Sequence, residues 1–231
     1  SRMVSCSFVA MTCAATFLFS SLESCATGMC FILFYLSLLR SYQDKRAPGI
    51  AFYSFACLGI ASLFFVQILY FVPFLWILMA SNMMALTHRM FWATVLGLVM
   101  PYWFAVGYYV VTNQFDAFID HFAELAQFEP LLQYEALDIH RIATFGLVVL
   151  LAVIGIIHYM RNSYQDKIRT RMIFEMFITV DILSFVFIIL QPQHFDNLLP
   201  IIIVNTSCLF AHYVALTRTW LTNVTFIVMC L

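Results

Sequence analysis

Long uninterrupted apolar runs separated by short polar turns make up most of the chain, and apolar and polar positions do not alternate. A helix crossing a bilayer needs about 20 apolar residues, whereas a membrane β-strand reads as an alternating segment of about ten. The runs therefore predict helices and an all-α fold. The first span is expected at 3–20, ended by "SSLES", and the second at 25–39, ended by "RSYQDKRAPG". From Ile50 to Leu86 there is no charged residue, which is too long for one crossing. Pro73 in "LYFVP" favours a helix start, so spans are expected at 50–68 and 72–87 with a hairpin between them. Spans at 90–112 (with a kink at Pro101), 142–160, 172–190 and 197–216 follow. A last apolar run, 220–231, is too short to cross and is expected to be a partial ninth span of a longer chain. The expectation is a polytopic transmembrane helical bundle: one membrane domain over 1–231, about eight spans plus that partial ninth, and one sizeable polar stretch at 113–141.

Composition agrees with the pattern. Hydrophobic residues make up 64% and charged residues 10% of the chain, whereas a soluble domain carries about 25% charged residues. So few charges cannot solvate the surface of a water-soluble fold of this length, and so many aromatic and aliphatic residues exclude disorder. The seven cysteines form no CxxC pair, so neither a metal site nor a disulfide framework is expected. No cofactor and no nucleic-acid partner is expected; membrane lipids are.

The placement of charge says more than its sum. With Arg2 on the cytosolic side, alternate crossings put every one of the 11 basic residues on that side except Arg141. Glu23, Asp116, Asp120, Glu124, Glu129, Glu135, Asp138 and Asp196 fall on the other side. The pentapeptide "SYQDK" occurs at Ser41–Lys45 and again at Ser163–Lys167, and in this orientation both copies are cytoplasmic exits of descending helices. A bacterial inner membrane is the expected location.

Two acids, Glu175 and Asp181, lie inside the seventh span. A carboxylate near mid-bilayer costs about 2.5–3.5 kcal/mol on insertion scales, so it persists where it faces a partner or a cavity. Depth can be matched across the hairpin to the eighth span. Asp181 is nine residues in from Leu190, and Asn205 and Thr206 are eight and nine in from Asn197; Glu175 and His212 are each fifteen in. Two polar rungs are thus expected, Asp181 with Asn205 or Thr206, and Glu175 with His212, forming a buried polar relay. In "QFDAFIDHFAELAQF", Asp116, Asp120 and Glu124 recur every four residues opposite Phe118, Phe122 and Leu125, which predicts an amphipathic helix on the outer surface or over the bundle. His121 with Glu124, or Asp138 with His140, supplies too few ligands for a metal. Nucleotide-binding, zinc-protease and serine-hydrolase motifs are absent from the sequence.

The stretches "AFYSFACLGIASLFFVQILYFVPFLWILMA" and "THRMFWATVLGLVMPYWFAVGYYVV" resemble an uncharacterised family of polytopic inner-membrane proteins from Bacteroidetes, and the likeness extends more weakly through "AHYVALTRTWLTNVTFIVMCL". More distantly, the same order of helices is similar to the membrane scaffold of GT-C-type glycosyltransferases, which use polyprenyl-linked donors. That resemblance implies an acidic catalytic residue in the first outer loop, where Glu23 stands, and a cation for the lipid phosphate, for which Arg141 and His140 are present.

Three functions are compatible with these residues. One is a membrane scaffold handling lipid-linked glycan at the outer face, with Glu23 or the acids Asp116 and Asp120 as catalytic base. Another is a solute or proton-coupled transporter using Glu175, Asp181, Asn205 and His212. The third is a non-catalytic envelope-assembly scaffold with a protein partner.

Overall fold

The computed structural model describes residues 2–126, 138–216 and 226–227. Glu129, Glu135, Arg218 and all but 226–227 of the expected partial ninth span lie outside these residues. Among the described residues there are nine α-helices and no strand. They are α1 (Arg2–Ala14), α2 (Leu22–Leu38), α3 (Pro48–Phe64), α4 (Val72–Ser81), α5 (His88–Val111), α6 (Phe115–Ala126), α7 (Ile139–Asn162), α8 (Ile168–Leu190) and α9 (Phe195–Leu216).

Five of these, with the 3₁₀ turns that extend them, are long and apolar enough to cross a membrane: Leu22–Ser41, His88–Val111, Ile139–Gln165, Ile168–Leu190 and Pro192–Leu216. The spans expected at 3–20, 50–68 and 72–87 are shorter as helices, at 13, 17 and 10 residues; α1 and α4 fall below the roughly 17–25 that one crossing takes, and α3 stands at its lower end. The backbone gives the reason. α1 stops where Ala15 leaves helical geometry (φ −101°, ψ 50°) and a 3₁₀ turn, Thr16–Ser20, takes over. α3 stops at the extended Phe65, and a second 3₁₀ turn, Val66–Phe71, uses chain that would otherwise lengthen either neighbour. α4 then starts with Pro73 in its first turn, where the missing N–H leaves no intrahelical bond unmade.

The helices gather into two compact units divided between Cys25 and Ala26: α1, the first turn of α2 and α7–α9 in one, the rest of α2 and α3–α6 in the other. In the first unit α9 packs against α1, α7 and α8. From Leu198 to Ala211 it is apolar apart from Asn205, Thr206 and Ser207, and it is buried nearly throughout, as a helix without a polar face must be. α7 comes close to it at Gly155, where an added Cβ would lie 3.0 Å from the Leu209 carbonyl carbon. In the second unit α3 and α5 form the tightest pair. The core there holds Phe31, Phe34 and Leu38 of α2 with Phe55 and Leu58 of α3, and Trp76 of α4 donates its ring N–H to Thr94 of α5 at 3.0 Å.

Large apolar side chains face outward over whole helix faces. On α5, Leu96, Trp103 and Phe104 are 62%, 78% and 65% exposed, and α7 and α8 show Leu150, Val153, Ile182 and Val186. Continuous exposed apolar faces of this kind mark a surface that meets lipid or another apolar partner, which agrees with the helix lengths.

α6 is the amphipathic helix of the acidic stretch. Its apolar face lies against α5 and the 3₁₀ turn Val66–Phe71, with Phe122 on Tyr102 and Phe118 on Tyr109. The Tyr70 hydroxyl donates to the Leu125 carbonyl. His121 reaches the Ser62 carbonyl at 3.0 Å near the end of α3.

Candidate functional site

The α8–α9 hairpin carries the polar groups most at odds with their surroundings. Its short turn, Pro192–His194, returns the chain antiparallel and brings the middles of the two helices together. Asp181, Asn205 and Thr206 are each 0% exposed. The Thr206 hydroxyl donates to Asp181 Oδ2 at 3.3 Å. Asp181 Oδ1 and both side-chain atoms of Asn205 have no hydrogen-bond partner.

Neighbouring buried hydroxyls behave differently. Ser184 and Ser207 donate to the carbonyls of Val180 and Val204 in their own helices, the usual way such residues are satisfied in apolar surroundings. A buried amide and a carboxylate that lack this recourse each cost several kcal/mol unless something else compensates, roughly 2–7 for a neutral polar group. Within the hairpin, Asp181 and Asn205 are therefore the residues that packing alone does not explain.

A second cluster lies further along α9, toward the turn between α7 and α8. His212 Nε2 is 3.1 Å from Asp166 Oδ2, with side chains 11% and 15% exposed. The contact lacks hydrogen-bond alignment, and His212 Nδ1 is buried without a partner. The Phe174 ring sits 4.5 Å from the His212 ring, and His158 of α7 lies 6.0 Å away. Tyr159 donates to the Arg171 carbonyl at 3.0 Å, tying α7 to α8. Glu175 is half-buried on α8, and the Thr179 hydroxyl donates to its backbone carbonyl. Asp166 in the second "SYQDK", a residue the depth count could not reach because it lies in the turn, thus brings a carboxylate to ion-pair distance from His212.

At the opposite end of α9 the Arg141 guanidinium meets Asp196 at 2.9 Å and lies 5.5 Å over the Phe17 ring. The Ser24 hydroxyl donates to Asn197 Oδ1 at 3.0 Å. Glu23, next to Ser24, is exposed in the first turn of α2, and His140 is exposed at the start of α7. Asp116 and Asp120 are exposed on α6, which belongs to the other unit. Among the described residues no group of three or more His, Cys, Asp or Glu is placed to hold a metal ion.

The Arg141–Asp196 pair is about one-third exposed on each side. Arg141→Gln is therefore expected to lower stability by no more than about 1 kcal/mol. In thermal melts of the purified protein the difference should shrink as salt screens the parent's pair.

Comparison with protein-family models, curated proteins and solved structures finds no match to this chain.

Proposed function

We propose that the chain is a membrane-integral transporter coupled to protons or a monovalent cation, with Asp181 as the coupling group. The observation that carries this reading is the burial of Asp181 at mid-helix with one oxygen on Thr206 and the other without a partner, while Asn205, next to Thr206 on α9, is buried and unpartnered too. A carboxylate in that position is costly to insert, and groups of this kind in membrane helices serve ion and proton pathways by default. Asp181 holds a proton or, with the Asn205 carbonyl oxygen and the Thr206 hydroxyl, offers three oxygens to a small cation. His212 follows Thr206 by six residues on α9, a rise of about 9 Å. The His212–Asp166 pair therefore marks the next titratable station toward the turn between α7 and α8.

The finer placement is part of the same proposal: a bacterial inner membrane, with the turn carrying Arg161, Lys167, Arg169 and Arg171 on the cytosolic side. The three consecutive long helices α7, α8 and α9 then put the Arg141–Asp196 end outside. A transferase of lipid-linked glycan receives less support. Glu23 is exposed, and the Arg141 guanidinium is held by Asp196.

The test is electrical. Proteoliposomes on a solid-supported membrane are subjected to pH and sodium jumps. The parent should give transient charge displacement, and Asp181→Asn, nearly identical in shape, should give none. Equal currents from parent and variant, or no current from the parent, would remove the proposal.

A further inference from the structure

The geometry points to a binding groove for the headgroup of an anionic phospholipid at the end of α7, formed with α9. A cavity of about 420 Å³ is lined there by Ile154, Ile157, His158, Arg161, Asn162 and Tyr213. That volume lies within the roughly 300–1,000 Å³ of small-ligand sites.

The lining is divided as a lipid is. Ile157 and Ile154 are about one and two helical turns further than Arg161 into the apolar part of α7, and Ile157 is 52% exposed. Arg161 and Asn162 stand at the helix end. Arg161 is exposed and makes no ion pair among the described residues. The Asn162 amide nitrogen lies 3.0 Å from His158 Nδ1, which fixes the amide at the rim and leaves its second N–H to offer. A guanidinium presents its N–H groups in a fork that matches phosphate oxygens, and an amide N–H beside it adds a third donor.

Charge supports the same occupant. The turn from Arg161 to Arg171 carries Arg161, Lys167, Arg169 and Arg171 against one acid, Asp166, and Asp166 faces His212 instead of the groove's arginine. Basic pockets between membrane helices at the headgroup level are the usual form of an anionic-lipid site. The apolar wall distinguishes this groove from a site for a soluble phosphate, which has no use for Ile154 and Ile157. The inference stands apart from transport, since it uses neither Asp181 nor Asn205.

Purified full-length chain in a neutral detergent is titrated with phosphatidylglycerol, phosphatidylcholine or soluble glycerol 3-phosphate, reading melting temperature and bound lipid by native mass spectrometry. Phosphatidylglycerol should raise the melting temperature and remain bound, and the other two should do neither. Arg161→Ala should weaken phosphatidylglycerol binding roughly five- to tenfold. Arg89→Ala, an exposed cation in the other unit, should bind as the parent does. Equal weakening by the two variants, or equal binding of phosphatidylcholine, would overturn the site. Stabilisation by glycerol 3-phosphate as strong as by the lipid would overturn its assignment to a lipid.

Discussion

Gly97→Ala is expected to destabilise the protein by about 3 kcal/mol or more, an unusually large loss for one methyl group. A Cβ at Gly97 on α5 would collide with the Phe52 carbonyl oxygen and lie 3.1 Å from its carbon and 3.2 Å from the Ala56 nitrogen, all backbone atoms of α3. Gly59 on α3 makes the reciprocal approach, its Cβ position 2.6 Å from the Leu98 carbonyl oxygen and 3.1 Å from Pro101 Cγ. Backbone atoms cannot swing aside as a side chain can, so the methyl has to push the helices apart. Membrane helices have no hydrophobic drive to associate and rely on close packing of small residues, so separation removes what holds this pair together. The Tyr102 to Ser62 hydroxyl bond across the same interface, 2.7 Å long, would be stretched with it. No glycine here has a positive φ, so the loss comes from space and owes nothing to backbone freedom. Gly107→Ala provides the control. Nothing lies within 4 Å of its Cβ position, and the substitution should be neutral or gain up to about 1 kcal/mol from helix propensity. Thermal melting and the monodisperse fraction on gel filtration distinguish the two; similar behaviour of Gly97→Ala and Gly107→Ala would show that the crossing is loose.

The helical class and the five long spans were legible because hydrophobic length is a property of single segments. The start of α4 was legible for a similar reason, since Pro73 acts locally. Helix ends that depend on 3₁₀ turns were not: nothing in "TFLFS" or "VQILYF" marks it as other than more apolar helix, and three expected spans came out short. The Gly59 and Gly97 contacts depend on which faces of α3 and α5 meet, and a face is not readable in runs that are apolar all round. The two "SYQDK" copies show how far five residues carry. Both make a turn in which the aspartate N–H donates to the serine carbonyl, at 3.0 Å for Asp44 and 3.2 Å for Asp166. Beyond that they diverge. Gln43 takes φ 58° and its N–H donates to the Met83 carbonyl, whereas Ser163–Gln165 continues as a 3₁₀ turn. Asp44 accepts from the Arg46 N–H, and Asp166 turns to His212. Counting inward from a tight hairpin locates Asp181 opposite Thr206 because both helices run at one rise per residue from a common turn. It could not locate Asp166, which is held in place by tertiary contacts.

Asp181→Val is expected to raise the melting temperature while leaving the protein without the currents ascribed above to Asp181. The carboxylate costs about 2.5–3.5 kcal/mol near the middle of a membrane helix. Its one hydrogen bond among the described residues, from the Thr206 hydroxyl at 3.3 Å, offsets about 0.6 kcal/mol of that on the scale measured for interhelical polar pairs. The difference leaves about 2–3 kcal/mol for a side chain of similar size without polar atoms to recover. Thr206 would not be stranded by the change, because a helical threonine can donate to the carbonyl four residues back, here that of Ile202. Valine suits the position in shape: the site lies between two packed helices and a bulkier leucine would risk overpacking. The sign of the effect separates the two roles open to Asp181. If the acid were there to hold α8 against α9, its removal would lower the melting temperature, and Asp181→Asn, which keeps a group able to bond Thr206, would be the milder of the two variants. If it is retained for ion coupling at a standing cost in stability, valine gives the more stable protein and both variants are silent. A lower melting temperature for Asp181→Val with parental currents would assign the residue to packing and withdraw the functional reading of the hairpin.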